Sequence, residues 1–183
     1  MNNTLKSNTS KQLLWIAMAG ISMFFAGLTS AVIVRSAEHG WDTIVMPEWF
    51  WYSTVAIVLS SIILIIAKKQ VRKGISPTPY LVSALILGLL FSYFQVMGWN
   101  QLTAEGKYFV GPGSNPASSF LYVITFAHLM HVLGGIISLL VTTIKSVQVK
   151  YTKENYLGIE LTSIYWHFLD VLWVYLFIFL LVI

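Results

Sequence analysis

Five stretches of this sequence are long enough and apolar enough to cross a lipid bilayer as helices. A transmembrane helix needs about 20 mostly apolar residues, because its backbone groups must be hydrogen-bonded within the segment itself. Such stretches, separated by short polar connections, predict an all-α bundle of five transmembrane helices, and we expect residues 1–183 to form one domain. The predicted spans are residues 12–34, 49–67, 79–102, 119–144 and 161–183.

Charged residues are too scarce for a soluble protein of this length. They make up 10% of the chain, whereas a soluble domain carries about 25%. The chain has no cysteine, which excludes disulfides, zinc–thiolate sites and iron–sulfur clusters. The first span covers 23 residues and is longer than the apolar region of a signal peptide, which is usually about 7–15 residues. We therefore interpret it as a retained transmembrane helix.

The basic residues divide unequally between the two sides of the predicted bundle. Arg35 and Lys107 lie on one side. The other side holds nine: Lys6, Lys11, Lys68, Lys69, Arg72, Lys73, Lys145, Lys150 and Lys153. Because cytoplasmic loops are enriched in Lys and Arg, this pattern predicts a cytoplasmic N-terminus and an external C-terminus. Short basic clusters between apolar runs favour membrane topology over nucleic-acid binding, so we expect no nucleic-acid partner.

Small residues recur along the first span. Ser22, Ala26 and Ser30 are spaced four residues apart, and Gly27 and Ala31 repeat the spacing beside them. In lipid, helices associate through faces of small residues that allow their backbones to approach closely. The pattern predicts a packing face on this span, against another helix of the chain or against a neighbouring subunit.

The last two spans carry ionisable residues at membrane depth. At 100° per residue, His128 and His131 lie about 60° apart on one helix face, and Gly135, Ser138 and Thr142 continue that stripe. On the last span, Glu160, Ser163, His167 and Asp170 fall within an arc of about 80°. Since ionisable groups in a bilayer usually face protein or water, we expect a buried polar cluster. Its predicted members are His128, His131, Glu160, His167 and Asp170.

Three interpretations of this cluster are open. It could clamp two helices through hydrogen bonds, with Asp170 bound to at least one histidine. It could relay protons, or it could hold a metal or haem, since imidazole is a common ligand. A di-iron bundle needs more carboxylates than this chain offers, so residue types favour the clamp. We interpret the nearby Trp166 and Trp173 as packing residues of the helix or subunit interface.

Two motifs resemble the cytochrome c oxidase subunit III family. The stretch from Tyr165 to Trp173 reads Tyr-Trp-His-Phe-Leu-Asp-Val-Leu-Trp and is similar to the Tyr-Trp-His-Phe-x-Asp-x-x-Trp motif of the family's last helix. The stretch from His128 to Gly135 resembles its His-x-x-His-Val-x-x-Gly segment. Gly158 and Glu160 fit the family's Gly-x-Glu step before the last helix.

The resemblance implies an accessory subunit of a respiratory haem–copper oxidase, which reduces oxygen to water and pumps protons. It implies that the chain packs against catalytic subunit I, contacts other oxidase subunits and lipids, and supports the stability and proton uptake of subunit I. A larger respiratory supercomplex is a further implied partner. We expect no catalytic residue, haem, copper or other metal site in this chain, and expect haem and copper in partner subunits. The implied location is the bacterial plasma membrane.

The sequence departs from the family in two respects. Longer members have seven helices, the first two enclosing a lipid-filled cleft, whereas this sequence predicts five. The family often places a glutamate in the helix that corresponds to the first span, which here contains no carboxylate. The alternative hypothesis is an independent membrane protein that binds metal or haem through its histidines. A small proton-coupled transporter is less favoured, because such proteins carry repeats or broken helices.

Overall fold

The computed structural model describes residues 3–41, 43, 45–112, 114–149, 151 and 155–183, with side chains from residue 7 onward. These residues form five helices, each long and apolar enough to span a membrane. Each predicted span coincides with one helix, although the helices extend beyond most of the predicted ends. The helices are α1 (Asn3–Ser36), α2 (Glu48–Arg72), α3 (Thr78–Ala104), α4 (Pro116–Val147) and α5 (Leu157–Val182). The prediction of an all-α bundle of five spans is therefore confirmed.

Helices α2 to α5 form a closed ring, and α1 packs on its outside. In the ring, α2 contacts α3, α3 contacts α4, α4 contacts α5, and α5 contacts α2. Within the described residues, α1 contacts only α4 and α5. Two grooves therefore flank α1. One separates it from α2 with α5 as the floor, and the other separates it from α3 with α4 as the floor.

Local sequence sets the start of α4. Asn115 precedes the helix and accepts a hydrogen bond from the Ser118 backbone N–H at 2.7 Å, while the Ser118 hydroxyl accepts from the Asn115 N–H at 3.2 Å. This reciprocal pair is a capping box. Pro116 occupies the first turn, where a missing N–H costs nothing. Ser118 completes the box from inside the helix.

Two glycines let the ring close around Trp166. A Cβ atom at Gly88 on α3 would lie 2.6 Å from the Trp166 ring, and one at Gly135 on α4 would lie 2.9 Å from Leu169 and 3.1 Å from Trp166. Trp166 and Leu169 are fully buried. The indole thus fills the space between α3, α4 and α5 because neither facing position carries a side chain.

The small-residue face of α1 is not its packing face within this chain. Ser22, Ala26 and Ser30 are exposed, and no atom lies within 4 Å of a Cβ placed at Gly27. The buried residues of α1 are instead Met18, Phe25, Thr29 and Val32. The prediction of packing through Ser22, Ala26 and Ser30 is therefore wrong for contacts inside this chain, because large side chains fill the space towards α4 and α5. Packing of the same face against another subunit stays a prediction.

Contacts between helix ends show which ends lie together. Lys11 near the start of α1, Lys68 near the end of α2 and Glu160 near the start of α5 meet at one end. At the other end, the Trp41 indole N–H donates to the Ile183 carbonyl at 3.3 Å. Lys69, Arg72, Lys73 and Lys145 share the first end, and Arg35 and Lys107 the second, while Lys150 and Lys153 lie outside the described residues. Which end faces the cytoplasm stays a prediction.

Candidate functional site

The polar residues of α5 meet a serine on α2. His167 contacts Ser61 through Nδ1 at 2.5 Å and Ser163 through Nε2 at 3.0 Å. Ser61 and Ser163 are buried, and His167 is half-buried. Because a neutral imidazole has one donor and one acceptor nitrogen and a hydroxyl can serve as either, both ring nitrogens are satisfied without a charge. This hydrogen-bonded group joins α2 to α5 at the middle of the bundle.

Asp170 belongs to the same group. Its carboxyl group interacts with the Ser61 hydroxyl and, electrostatically, with His167. Within the described part of the chain, its Oδ1 atom is buried and has no hydrogen-bond partner. The predicted direct hydrogen bond from Asp170 to a histidine is therefore wrong, because the Ser61 hydroxyl bridges the two groups. Nothing in the second apolar span distinguishes Ser61 from its neighbour Ser60, so the sequence pattern did not identify it.

The hydrogen-bond chain has two consistent directions. If Asp170 is ionised, the Ser61 hydroxyl donates to the carboxylate, His167 donates from Nδ1 to Ser61, and Ser163 donates to Nε2. If Asp170 is protonated, the carboxyl donates to Ser61, and each later bond reverses. Both directions keep His167, Ser61 and Ser163 hydrogen-bonded, while the Asp170 Oδ1 atom has no partner among the described residues. The arrangement can hold α2 against α5 whether Asp170 carries a proton or not.

His128 lies apart from this group, in the centre of the ring. It is fully buried, and its ring lies 5.2 Å from that of Trp173 and 6.0 Å from that of Phe91, centroid to centroid. Among the described residues, neither of its ring nitrogens has a hydrogen-bond partner. Trp173 donates from its indole N–H to the Thr54 hydroxyl at 2.9 Å. His128 is thus part of an aromatic core rather than of a cluster with carboxylates.

His131 points towards α1 instead of α5. Its Nδ1 lies 2.7 Å from the Ala127 carbonyl oxygen in its own helix, and its ring centroid lies 5.6 Å from that of Phe25. It borders an apolar cavity of about 590 Å³ in the groove between α1 and α3. The other lining residues are Phe24, Trp99, Phe109, Tyr122, Val123, Phe126, Ala127 and Met130.

Glu160 lies at the basic end of the bundle and bridges three helices. Its carboxylate oxygens lie 2.9 Å from the Lys11 ammonium on α1 and 3.8 Å from the Lys68 ammonium on α2. The predicted five-residue cluster is therefore divided among four places. Only His167 and Asp170 lie together, whereas Glu160, His128 and His131 have separate environments, because His128 and His131 leave α4 in different directions.

The lower part of the predicted stripe on α4 does face α5. The Thr162 hydroxyl lies 2.8 Å from those of both Ser138 and Thr142, and Gly135 admits the Trp166 ring. Trp166 and Trp173 are both buried, as expected of packing residues. In the part of the chain that the structure describes, no group of three or more His, Asp or Glu side chains is placed to hold a metal ion.

The sequence of this chain also matches a known protein family. The family model for cytochrome c oxidase subunit III matches residues 52–182. The chain belongs to this family. The match contains the Ser61–His167–Asp170 group and nearly all of the α2–α5 ring, whereas α1 lies before it. The ring is thus the part of the fold that carries the family pattern.

Curated relatives named cytochrome c oxidase subunit 3 support the assignment. The chain is 32% identical over 104 residues to one from Petromyzon marinus, covering 55% of this chain and 36% of the relative. It is 33% identical over 97 residues to one from Chondrus crispus, covering 51% and 32%. It is 30% identical over 115 residues to one from Formosania lacustris, covering 61% and 38%. The matched region thus spans about a third of the length of these relatives.

Proposed function

We propose that this chain is a non-catalytic accessory subunit of a respiratory haem–copper oxidase. The observation that carries the proposal is the subunit III family match across residues 52–182, which covers the whole ring apart from the first turn of α2. In the ring, His167 hydrogen-bonds to Ser61 on α2 and to Ser163 on α5 and so joins the two helices, as in a structural clamp. Haem, copper and the oxygen chemistry belong to partner subunits under this proposal.

The proposed partners are catalytic subunit I, other oxidase subunits and membrane lipids, with a larger respiratory supercomplex as a further assembly. The five long apolar helices make the chain a multi-pass membrane protein. We propose the bacterial plasma membrane as its location. The relatives described above come from eukaryotic organisms, so location is a separate question from family membership.

Isolation of the complex in mild detergent tests the proposed function. A tagged chain should co-purify with a polypeptide that carries haem and copper, and the complex should consume oxygen. A tagged chain that purifies alone, from membranes whose oxidase is intact, would contradict the proposal. Immunoprecipitation of the oxidase through subunit I gives the reciprocal measurement.

Binding of metal or haem by the chain itself is the alternative, and the unpartnered ring nitrogens of His128 favour testing it. We expect the isolated chain to show no Soret band and no stoichiometric iron, copper or zinc by elemental analysis. If it holds a metal that is lost on His128→Leu but retained on His39→Leu, an exposed control position, the alternative function replaces the proposed one.

A further inference from the structure

The groove between α1 and α3 contains an elongated cavity of about 590 Å³. Its floor is α4 from Tyr122 to His131, a length of about 14 Å at 1.5 Å per residue. Phe24 stands on the α1 side and Trp99 on the α3 side. Because α1 and α3 make no contact among the described residues, the cavity opens sideways at membrane depth. A small molecule dissolved in the bilayer can therefore enter it.

His131 gives this cavity one free hydrogen-bond acceptor. Its Nδ1 atom lies 2.7 Å from the Ala127 carbonyl oxygen, and a carbonyl only accepts, so Nδ1 carries the proton. The ring is neutral, since a charged group at membrane depth beside an apolar cavity is costly. The Nε2 atom therefore presents a lone pair, and no described residue donates to it. The ring is half-buried and lines the cavity.

The depth of His131 distinguishes a hydroxylated ligand from a phospholipid. His131 lies midway between Pro116 and Val147, the two ends of α4, and so in the middle of the membrane. The polar groups of a phospholipid lie outside the hydrocarbon core, and its acyl chains have no O–H or N–H to donate. Buried polar atoms are normally hydrogen-bonded. A molecule that carries a hydroxyl group into the bilayer interior satisfies Nε2, whereas an acyl chain leaves it unpaired.

The walls of the cavity favour a flat ring over a helix of a neighbouring protein. Transmembrane helices approach one another through small residues, but the walls here are bulky and hold a helix backbone away. Aromatic side chains pack well against another flat ring. The volume also falls in the range of about 300–1,000 Å³ that is usual for small-molecule sites. Five of the nine described lining residues are aromatic: Phe24, Trp99, Phe109, Tyr122 and Phe126.

Hydrogen bonds within the chain hold two of these aromatic walls in place. The Trp99 indole N–H donates to the Thr125 hydroxyl at 2.9 Å. The Tyr122 hydroxyl donates to the Lys107 carbonyl at 3.1 Å. The polar atoms of both side chains are thus already engaged. Among the described side chains that line the cavity, the Nε2 atom of His131 is the polar atom left free for a ligand.

We propose that this cavity binds the head of an isoprenoid quinol, with one quinol hydroxyl donating to the Nε2 atom of His131. A quinol combines a flat ring, hydroxyl groups and a long apolar tail that keeps it in the bilayer interior. The oxidised quinone has carbonyl oxygens instead, which only accept, so it cannot bond to Nε2. The site therefore prefers the reduced form. The inference concerns binding alone, includes no electron transfer, and does not depend on the proposed accessory role.

Comparison of the two redox forms tests this hydrogen bond. The full chain in phospholipid nanodiscs is titrated anaerobically with decylubiquinol and with decylubiquinone by calorimetry. We expect the quinol to bind about tenfold more tightly, the effect of one hydrogen bond. His131→Leu should abolish this preference, whereas His39→Leu, at an exposed position, should retain it. Equal affinity for the two forms in the wild type, or no binding of either, would overturn the inference.

Two tryptophan substitutions on α4 test the position of the ligand. Val123 lines the cavity, whereas Ile137 lies outside it and is 62% exposed. Val123→Trp fills the cavity without altering His131, so we expect it to weaken decylubiquinol binding at least about tenfold. Ile137→Trp should bind like the wild type. Equal binding by the two variants would contradict the proposed site.

Photolabelling identifies the binding surface in the unchanged chain. A decylubiquinol analogue with a diazirine beside its ring is irradiated in the nanodiscs, where phospholipid is in large excess. Adducts should map to Phe24, Phe126 or Met130 and disappear with excess decylubiquinol. If phospholipid keeps these positions unlabelled, the cavity takes acyl chains and the inference is wrong. Failure of the proposed function would instead appear as a chain that purifies from cells with no oxidase subunit attached.

Discussion

At the scale of single residues, Asp170 distinguishes a clamp from a compulsory proton relay. Asp170→Asn keeps the shape and can both donate and accept, so it can join the Ser61–His167 chain in either direction. We expect this variant to assemble and pump protons nearly as the wild type does. Asp170→Ala should destabilise the chain by about 1–3 kcal/mol, because it leaves buried polar partners unsatisfied. Thermal unfolding of the chain and proton-to-electron ratios of the reconstituted complex are the measurements.

The Asp170→Asn variant is the one that can contradict the clamp interpretation. A complex with Asp170→Asn that assembles fully but pumps no protons would show that a titrating group is required. Loss of assembly with both variants would instead show that the carboxylate charge itself is needed for docking. The two outcomes are distinguishable because assembly and pumping are measured separately.

Ser61 provides a second test at the same scale. It is buried and bridges His167 and Asp170, so Ser61→Ala removes a partner from both. We expect a loss of about 1–3 kcal/mol in the free energy of unfolding, the cost of leaving buried polar groups unpaired. Ser83→Ala is the control, since the exposed Ser83 hydroxyl bonds, among the described residues, only to the Pro79 carbonyl in its own helix. Equal stability of the two variants would show that the bridge contributes nothing.

At the scale of helices, the close approach around Trp166 predicts opposite effects for glycine substitutions. Gly88→Ala and Gly135→Ala place a Cβ against the buried indole, and overpacking of this kind typically costs about 1–3 kcal/mol. Gly27→Ala faces open space and should stabilise α1 slightly, by about 0.5–1 kcal/mol, because alanine favours the helix. Unfolding midpoints in one detergent rank the three variants. A Gly88→Ala protein as stable as Gly27→Ala would show that the indole can move away without loss.

The helices were predictable from sequence, but most contacts between them were not. Apolar length defined each span because lipid imposes that length on any helix that crosses it. Helical angles placed Ser138 and Thr142 on the face that meets α5. The same angles could not predict that His128 lies in the aromatic core and His131 beside α1, since the direction of each side chain depends on the neighbouring helix. Ser61 was missed because a serine in an apolar span has no distinguishing pattern. Ser22 and Ala26 were predicted to pack against another helix or a neighbouring subunit, and within this chain Phe25 and Thr29 are buried instead.

At the scale of the whole molecule, the ring and the peripheral helix α1 differ in how firmly they are held. The ring closes on itself through four helix interfaces, whereas α1 packs on one side only. An ion pair between Lys11 and Glu160 joins α1 to α5, and the two side chains are 32% and 21% exposed. Exposed ion pairs contribute about 0–1 kcal/mol, so apolar packing by Phe25 and Val32 holds most of α1. Under the proposed function, the helix that lines both grooves is therefore the one best placed to adjust to neighbouring subunits.

Membrane orientation is the last prediction at this scale, and it follows from the unequal cations. Ser76 lies between α2 and α3 at the basic end, and Ser114 lies between α3 and α4 at the opposite end. Because the chain has no cysteine, Ser76→Cys and Ser114→Cys each create a single reactive thiol. With the basic end in the cytoplasm, an impermeant maleimide should label residue 114 in intact cells or right-side-out vesicles. It should label residue 76 only in inverted vesicles or after permeabilisation. The reverse pattern would mean that the chain is inserted upside down, and labelling of both sites from one side would mean that α3 does not cross the membrane.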